Sequence, residues 1–119
     1  MGANPKISVG AADVVAMPTT KQGVKILHRQ GQKPAVDLDV VELDRNNGGN
    51  TVEVVWTCDH PEKNFYVCFK DGRTPFNSLH YSNANNHSGT ITKDAAGEYR
   101  YSVEIDGKVL DPTIIVRPS

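Results

Sequence analysis

An all-β domain of sandwich or barrel type is what this sequence predicts, and three observations predict it. Apolar residues recur at alternate positions in short runs, Gly, Pro or Asn interrupts nearly every ten residues, and no window sustains the three-and-four spacing of an amphipathic helix. A length of 119 residues with 38% apolar and 23% charged content suits one domain, 1–119, whose core is large enough to need neither disulfide nor metal.

The β-rich runs fall at 6–9, 12–17, 23–29, 35–43, 51–58, 65–69, 89–93, 97–105 and 108–117. The last two are the best determined. Asp106-Gly107 between them is the signature of a two-residue type I′ turn, in which both residues take positive φ. That turn opposes Ile105 with Lys108, Val103 with Leu110, Tyr101 with Pro112 and Tyr99 with Ile114, gathering apolar side chains on one face. Glu98, Arg100, Ser102 and Glu104 then face water. Pro112 has no N–H to give a ladder, so Asp111-Pro112 marks a bulge, an edge or a change of partner.

A second hairpin is expected between 51–58 and 65–69 across the loop Asp59–Asn64. Opposing Cys58 with Phe65 also opposes Trp56 with Val67 and Val54 with Phe69, a consistent inner face. In that register Cys68 shares the other face with Tyr66 and Val55. Its offset from Cys58 exceeds the Cα separation a disulfide tolerates, so both cysteines are expected as free thiols. Lys70–Ser88 is a long polar loop with a short helix expected around Asn77–Tyr81. Loops of such length in small domains commonly carry function.

At Trp56, at Phe65-Tyr66-Val67-Cys68-Phe69, at Thr74-Pro75-Phe76, at Gly97-Glu98-Tyr99-Arg100-Tyr101 and at Leu110–Val116 the chain resembles the cupredoxin-like domains, over Val36 to Pro118. The resemblance implies a Greek-key β-sandwich; an immunoglobulin-like sandwich, which also carries glycine before alternating tyrosines, is the alternative. For copper-carrying members it further implies electron transfer through an early His and a late Cys, His and Met. Here Val103 stands where that Cys would be, the early His position falls at Asn64 or Phe65, and no His or Met follows His87. The resemblance therefore implies a member without copper, and no cofactor is expected.

Charge narrows the partners. Thirteen basic against fourteen acidic residues, a net charge of −1 and no clustered basic run argue against nucleic acid or an anionic membrane. No stretch reaches the roughly 18 apolar residues of a membrane span. The first residues lack a basic and then apolar leader, which fits either a cytoplasmic protein or an exported mature form.

Candidate chemistry is sparse. His60, His80 and His87 lie in expected loops and would serve a zinc or copper site if they converged, although their spacings match no metal motif. His28, at a strand end, reads as a surface residue. Asp44–Gly49 imitates the start of a calcium loop, but its twelfth position is Val55 where a bidentate Glu is required, so a glycine-rich connection is expected. Cys58 and His60 are the one local thiol–imidazole pair; no nucleophile elbow, phosphate loop or zinc-protease helix occurs, and no catalytic residue is assigned. Asn86-His87-Ser88 fits a glycosylation sequon. Trp56, Tyr99 and Tyr101 read as core.

The expected function is a non-catalytic binding module for a protein or small ligand, offering loops 59–64 and 70–88 with Phe76, His80, Tyr81, Asn85 and His87 as contacts. A metal carrier and an assembly subunit are the alternatives.

Overall fold

The computed structural model describes residues 19–44 and 51–117. The runs expected at 6–9 and 12–17 and the glycine-rich stretch 45–50 lie outside these residues. Within them the chain is nearly all β and forms two mixed sheets. In chain order the strands are β1 (Thr19–Leu27), β2 (Ala35–Val36), β3 (Val40–Asp44), β4 (Thr51–Cys58), β5 (Tyr66–Phe69), β6 (His80–Ser82), β7 (Gly97–Ile105), β8 (Lys108–Leu110) and β9 (Thr113–Arg117).

The smaller sheet runs β2-β1-β4, and the larger runs β3-β9-β7-β5-β6 with β8 also on β7. One core fills the space between the buried faces: Val24, Ile26, Val54 and Trp56 from the smaller sheet meet Val67, Phe69, Tyr101 and Ile114 from the larger. Trp56 is its centre, with ring centroids of Tyr81, Tyr101, Phe69 and Phe76 at 5.0, 5.9, 6.3 and 6.4 Å. Those with Tyr101, Phe69 and Phe76 are edge-on and that with Tyr81 is tilted, and such contacts add to the area each ring removes from water. Burial raises the Tyr101 hydroxyl to about 12.

The arm β7–β9 follows the expected register, with Ile105 opposite Lys108, Val103 opposite Leu110 and Tyr99 opposite Ile114. Asp106 and Gly107 take φ of 54° and 77°, as a type I′ turn requires. The strand breaks at Asp111-Pro112. Tyr101 N–H still donates to Pro112 O at 3.1 Å, so the proline interrupts the ladder without displacing the register.

Other expectations are corrected. The run 35–43 divides, because β2 pairs with β1 while β3 crosses to the other sheet and lies parallel to β9. The hairpin between β4 and β5 does not form. β4 pairs parallel with β1, from Thr19 opposite Thr51 to Ile26 opposite Cys58, whereas β5 sits between β6 and β7. The inward residues are those expected, but alternation states which face a strand buries and not which sheet it joins. The loop Asp59–Asn64 is long enough to bridge two layers packed ~10 Å apart. Both thiols are free, half-buried, and on strands of different sheets.

The segment around Asn77–Tyr81 is no helix; Asn77–Leu79 is irregular and β6 begins at His80. Run 89–93 is not a strand either. The chain instead follows β4 through Trp56 N–H to Asn86 O (3.0 Å), Ser88 N–H to Val54 O (2.8 Å) and Ile91 N–H to Val52 O (3.3 Å). β5 ends at a tight turn, Lys70-Asp71-Gly72-Arg73, where Asp71 and Gly72 have φ of 60° and 65° and Arg73 N–H donates to Lys70 O. That Asp-Gly pair carries the same signal as Asp106-Gly107.

Candidate functional site

The outer face of β5 and β6 is arranged by its hydrogen-bond phase. Phe69 N–H donates to Leu79 O at 2.8 Å. Ladder bonds in an antiparallel pair alternate, so Cys68–His80 and Tyr66–Ser82 are the non-hydrogen-bonded pairs, whose side chains stand closest. Beside them the chain turns tightly at Asn83-Ala84, with Ser82 and Asn85 exchanging N–H to O bonds of 3.1 Å each. Together these residues frame a surface pocket of about 280 Å3. Tyr66, Cys68, His80, Ser82 and Asn85 line it with Val67 and Tyr81.

The free edge of β6 is closed by its own neighbours. Ser78 Oγ accepts from His80 N–H at 3.1 Å and donates to His80 O at 3.0 Å, and the Asn85 exchange occupies both backbone groups of Ser82. Closing an edge in this way discourages strand addition. The pocket therefore offers side chains rather than backbone.

Four side chains fix the segment that carries the pocket wall. Asn83 Oδ1 accepts from Phe65 N–H at 2.8 Å and its Nδ2 donates to Lys63 O at 3.0 Å, joining the turn to the 59–64 loop. Asn86 Nδ2 donates to Trp56 O at 2.9 Å. Ser88 Oγ accepts from the buried Val54 N–H at 2.7 Å and donates to Gly89 O. Tyr81 Oη donates to Ser88 O at 3.1 Å. Asn86 and Ser88, the outer members of the sequon, thus spend their side chains on the ladder of β4. Nδ2, the atom a glycan would take, is engaged.

Of the residues expected as contacts, His80, Tyr81 and Asn85 line the pocket. Phe76, 3% exposed, belongs to the aromatic core, which corrects its expected role as a loop-end contact, while Tyr81, 4% exposed, packs its ring into the same core and borders the pocket from within. A large ring in a polar loop removes most area from water by turning inward, and Phe76 does so beside buried Pro75. His87 lies opposite Val55, with Nδ1 3.3 Å from Glu53 Oε1. Tyr66, 53% exposed, is the pocket's open aromatic face.

A second polar cluster occupies the end of β1. Asp59 Oδ1 accepts from His28 N–H at 2.9 Å and lies 2.8 Å from His60 Nδ1. His28 and His60 rings meet edge to face at 5.0 Å. Asp106 Oδ2 takes Lys63 Nζ at 2.9 Å and lies 3.5 Å from His28 Nε2. His28, its side chain 10% exposed, is consequently not the surface residue its strand-end position suggests.

The His28 N–H first, then His60, hold the Asp59 carboxyl down to about 2, and the hydrogen bond to Asp59 holds His60 above its ordinary value. Burial and the Asp59 charge push the Cys58 thiol up; its Sγ faces Asp59 Oδ1 at 3.8 Å. Cys58 and His60 share a carboxylate rather than forming a nucleophile–base pair. Among the described residues no group of three or more His, Cys, Asp or Glu is placed to hold a metal ion. His60, His80 and His87 each have separate surroundings.

No family model matches this chain, and no curated protein or solved structure matches it.

Proposed function

We propose that the chain is a non-catalytic binding module built as a Greek-key β-sandwich of cupredoxin-like type without copper. Supporting that type, Val103, at the position of the family's ligand Cys, is fully buried. The observation that carries the binding reading is the pocket between β5, β6 and the 83–85 turn, whose walls are pinned before any ligand arrives. Such pre-organisation lowers the ordering cost of association. The pocket joins the exposed Tyr66 ring to a thiol, an imidazole, a hydroxyl and an amide. It suits a small ring-bearing ligand, or a single ring of a partner, with a hydrogen-bonding edge.

Titrating 15N-labelled protein with indole tests this. The amides of 66–68 and 80–85 are expected to shift together and saturably, and Tyr66→Ala is expected to abolish the response. Shifts confined to other residues, or none at the solubility limit of indole, would overturn the reading.

A second reading, an assembly subunit, has its own observation. Thr113 N–H donates to Asp39 O, so alternation along β3 turns the backbone of Val40 and Glu42 away from β9, and the Val40 side chain is 49% exposed. Sedimentation across a concentration series reads it directly, with Val40→Lys expected to remove any association.

A further inference from the structure

The two thiols share a sequence neighbourhood and differ in chemistry. Cys68 faces outward from β5, the strand next to the β6 edge of the larger sheet, with His80 directly across on β6 and Ser102 directly across on β7. Its pair with His80 is a non-hydrogen-bonded one, in which opposed Cβ atoms stand about 4.5–5.5 Å apart. Ser102 Oγ donates to Cys68 O at 3.4 Å, which ties the backbone under the thiol. The thiol lines the pocket with Tyr66, Ser82 and Asn85, its Sγ 3.7 Å from Phe69 O, and no carboxylate is among the lining residues. Cys58, by contrast, points at a carboxylate and lines no part of that pocket.

We infer that Cys68 is a site of reversible covalent modification, exchanging with a low-molecular-weight disulfide so that a small thiol is held in the pocket as a mixed disulfide. His80 takes the thiol proton; Cys68 Sγ, now a thiolate, attacks one sulfur of the disulfide. A new Sγ–S bond forms, the old S–S bond breaks, and the departing thiolate takes the proton from the imidazole. One disulfide is consumed and one is made, so no further oxidant is needed. The cavity is at the small end of ligand-site volumes and admits one thiol substituent beside the Tyr66 ring.

Selectivity comes from the surroundings of the two sulfurs. Attack requires thiolate. The Asp59 charge and burial oppose thiolate at Cys58, while at Cys68 the group opposite is an imidazole able to accept the proton. Groups facing Cys68 from the packed strands are Tyr66 and Lys70 on β5 and the turn after it, His80 on β6, and Ser102 with its outer-face neighbours Arg100 and Glu104 on β7. Lys70 is itself held by Asp111 at 2.6 Å.

This inference rests on the binding reading of the same pocket and fails separately from it. The test is to incubate the reduced protein with oxidised glutathione near neutral pH, following intact mass and mapping the adduct by peptide. The expected result is one glutathione per chain, on the peptide holding Cys68, with Cys58 slower by about tenfold or more. Cys58→Ser is expected to leave the adduct and Cys68→Ser to remove it. His80→Gln is expected to slow the reaction several-fold with the thermal midpoint unchanged, since Gln keeps polarity and bulk without the base. Equal labelling of the two cysteines, or an unaltered rate in His80→Gln, would overturn the inference. If indole still shifts 66–68 and 80–85 in that event, the binding reading stands without the thiol.

Discussion

The arm β7–β9 and the segment from His80 to Ile91 are both extended chain lying against a sheet, yet they are held in different ways. The arm is a backbone ladder set by one Asp-Gly turn and interrupted at Pro112, and its register follows from backbone bonds rather than from particular side chains. The 80–91 segment crosses from the larger sheet to the edge of the smaller, and Asn83, Asn86 and Ser88 supply hydrogen bonds that the backbone alone does not. A ladder tolerates substitution on its solvent face because its bonds are common to all residues. A stapled segment depends on particular atoms, and such a segment can fix a pocket wall at an angle that a regular strand does not reach.

That contrast can be pressed from the core outward. Ile114→Ala removes a fully buried side chain from the arm and is expected to cost about 2–5 kcal/mol, lowering the urea midpoint of the whole domain. Ser88→Ala strands the buried Val54 N–H. A loss of about 1–3 kcal/mol is expected, with hydrogen exchange quickening at Val54 and through 80–91 before the arm opens. If exchange instead rose evenly across both regions, the segment would be no more dependent on its side chains than the arm. Arg100→Ala, on the arm's exposed face, is expected to change stability by less than about 0.5 kcal/mol in the same urea titration.

The smallest effect concerns the loop that Asn83 ties to the segment. The Asp59 carboxyl is depressed from 3.8 to about 2, so its contribution is present above 3.8 and is lost as pH falls toward 2. His60 is raised above 6.5, so its contribution is complete below 6.5 and is lost as pH rises through that raised value. The pair thus supports the loop best between 3.8 and 6.5. The thermal midpoint of the wild type is expected to decline on leaving that window upward, and His60→Gln to flatten the decline. An identical profile in the variant would show that the pair does not support the loop.

What was legible in the sequence follows the same division. Asp106-Gly107 with alternating Tyr99, Tyr101, Val103 and Ile105 specified the arm to the residue, because turn chemistry and period together leave one register. Burial of Trp56, Tyr99 and Tyr101 was readable as well. The parallel pairs β1–β4 and β3–β9 were not, since the residues that join them are far apart in sequence and no turn signal reports a crossover. Nor was His28, whose partners arrive from the 59–63 loop and the β7–β8 turn. At the pocket, His80, Tyr81 and Asn85 could be named from their loop. Tyr66 could be grouped with Tyr81 as a contact at a loop-rich end, but Cys68 could not be placed with them without the register of β5 against β6. Asp71-Gly72 was a usable signal for the end of β5 that the polar surroundings obscured.

If the pocket between β5, β6 and the 83–85 turn is ready made for a ring, a crystal of the protein soaked in indole will hold one there. The ring is expected against Tyr66, its N–H directed to Ser82, Asn85 or His80, with the 83–85 turn unmoved. An indole bound instead beside Val40 on β3, or a pocket left empty while the turn shifts, would contradict it.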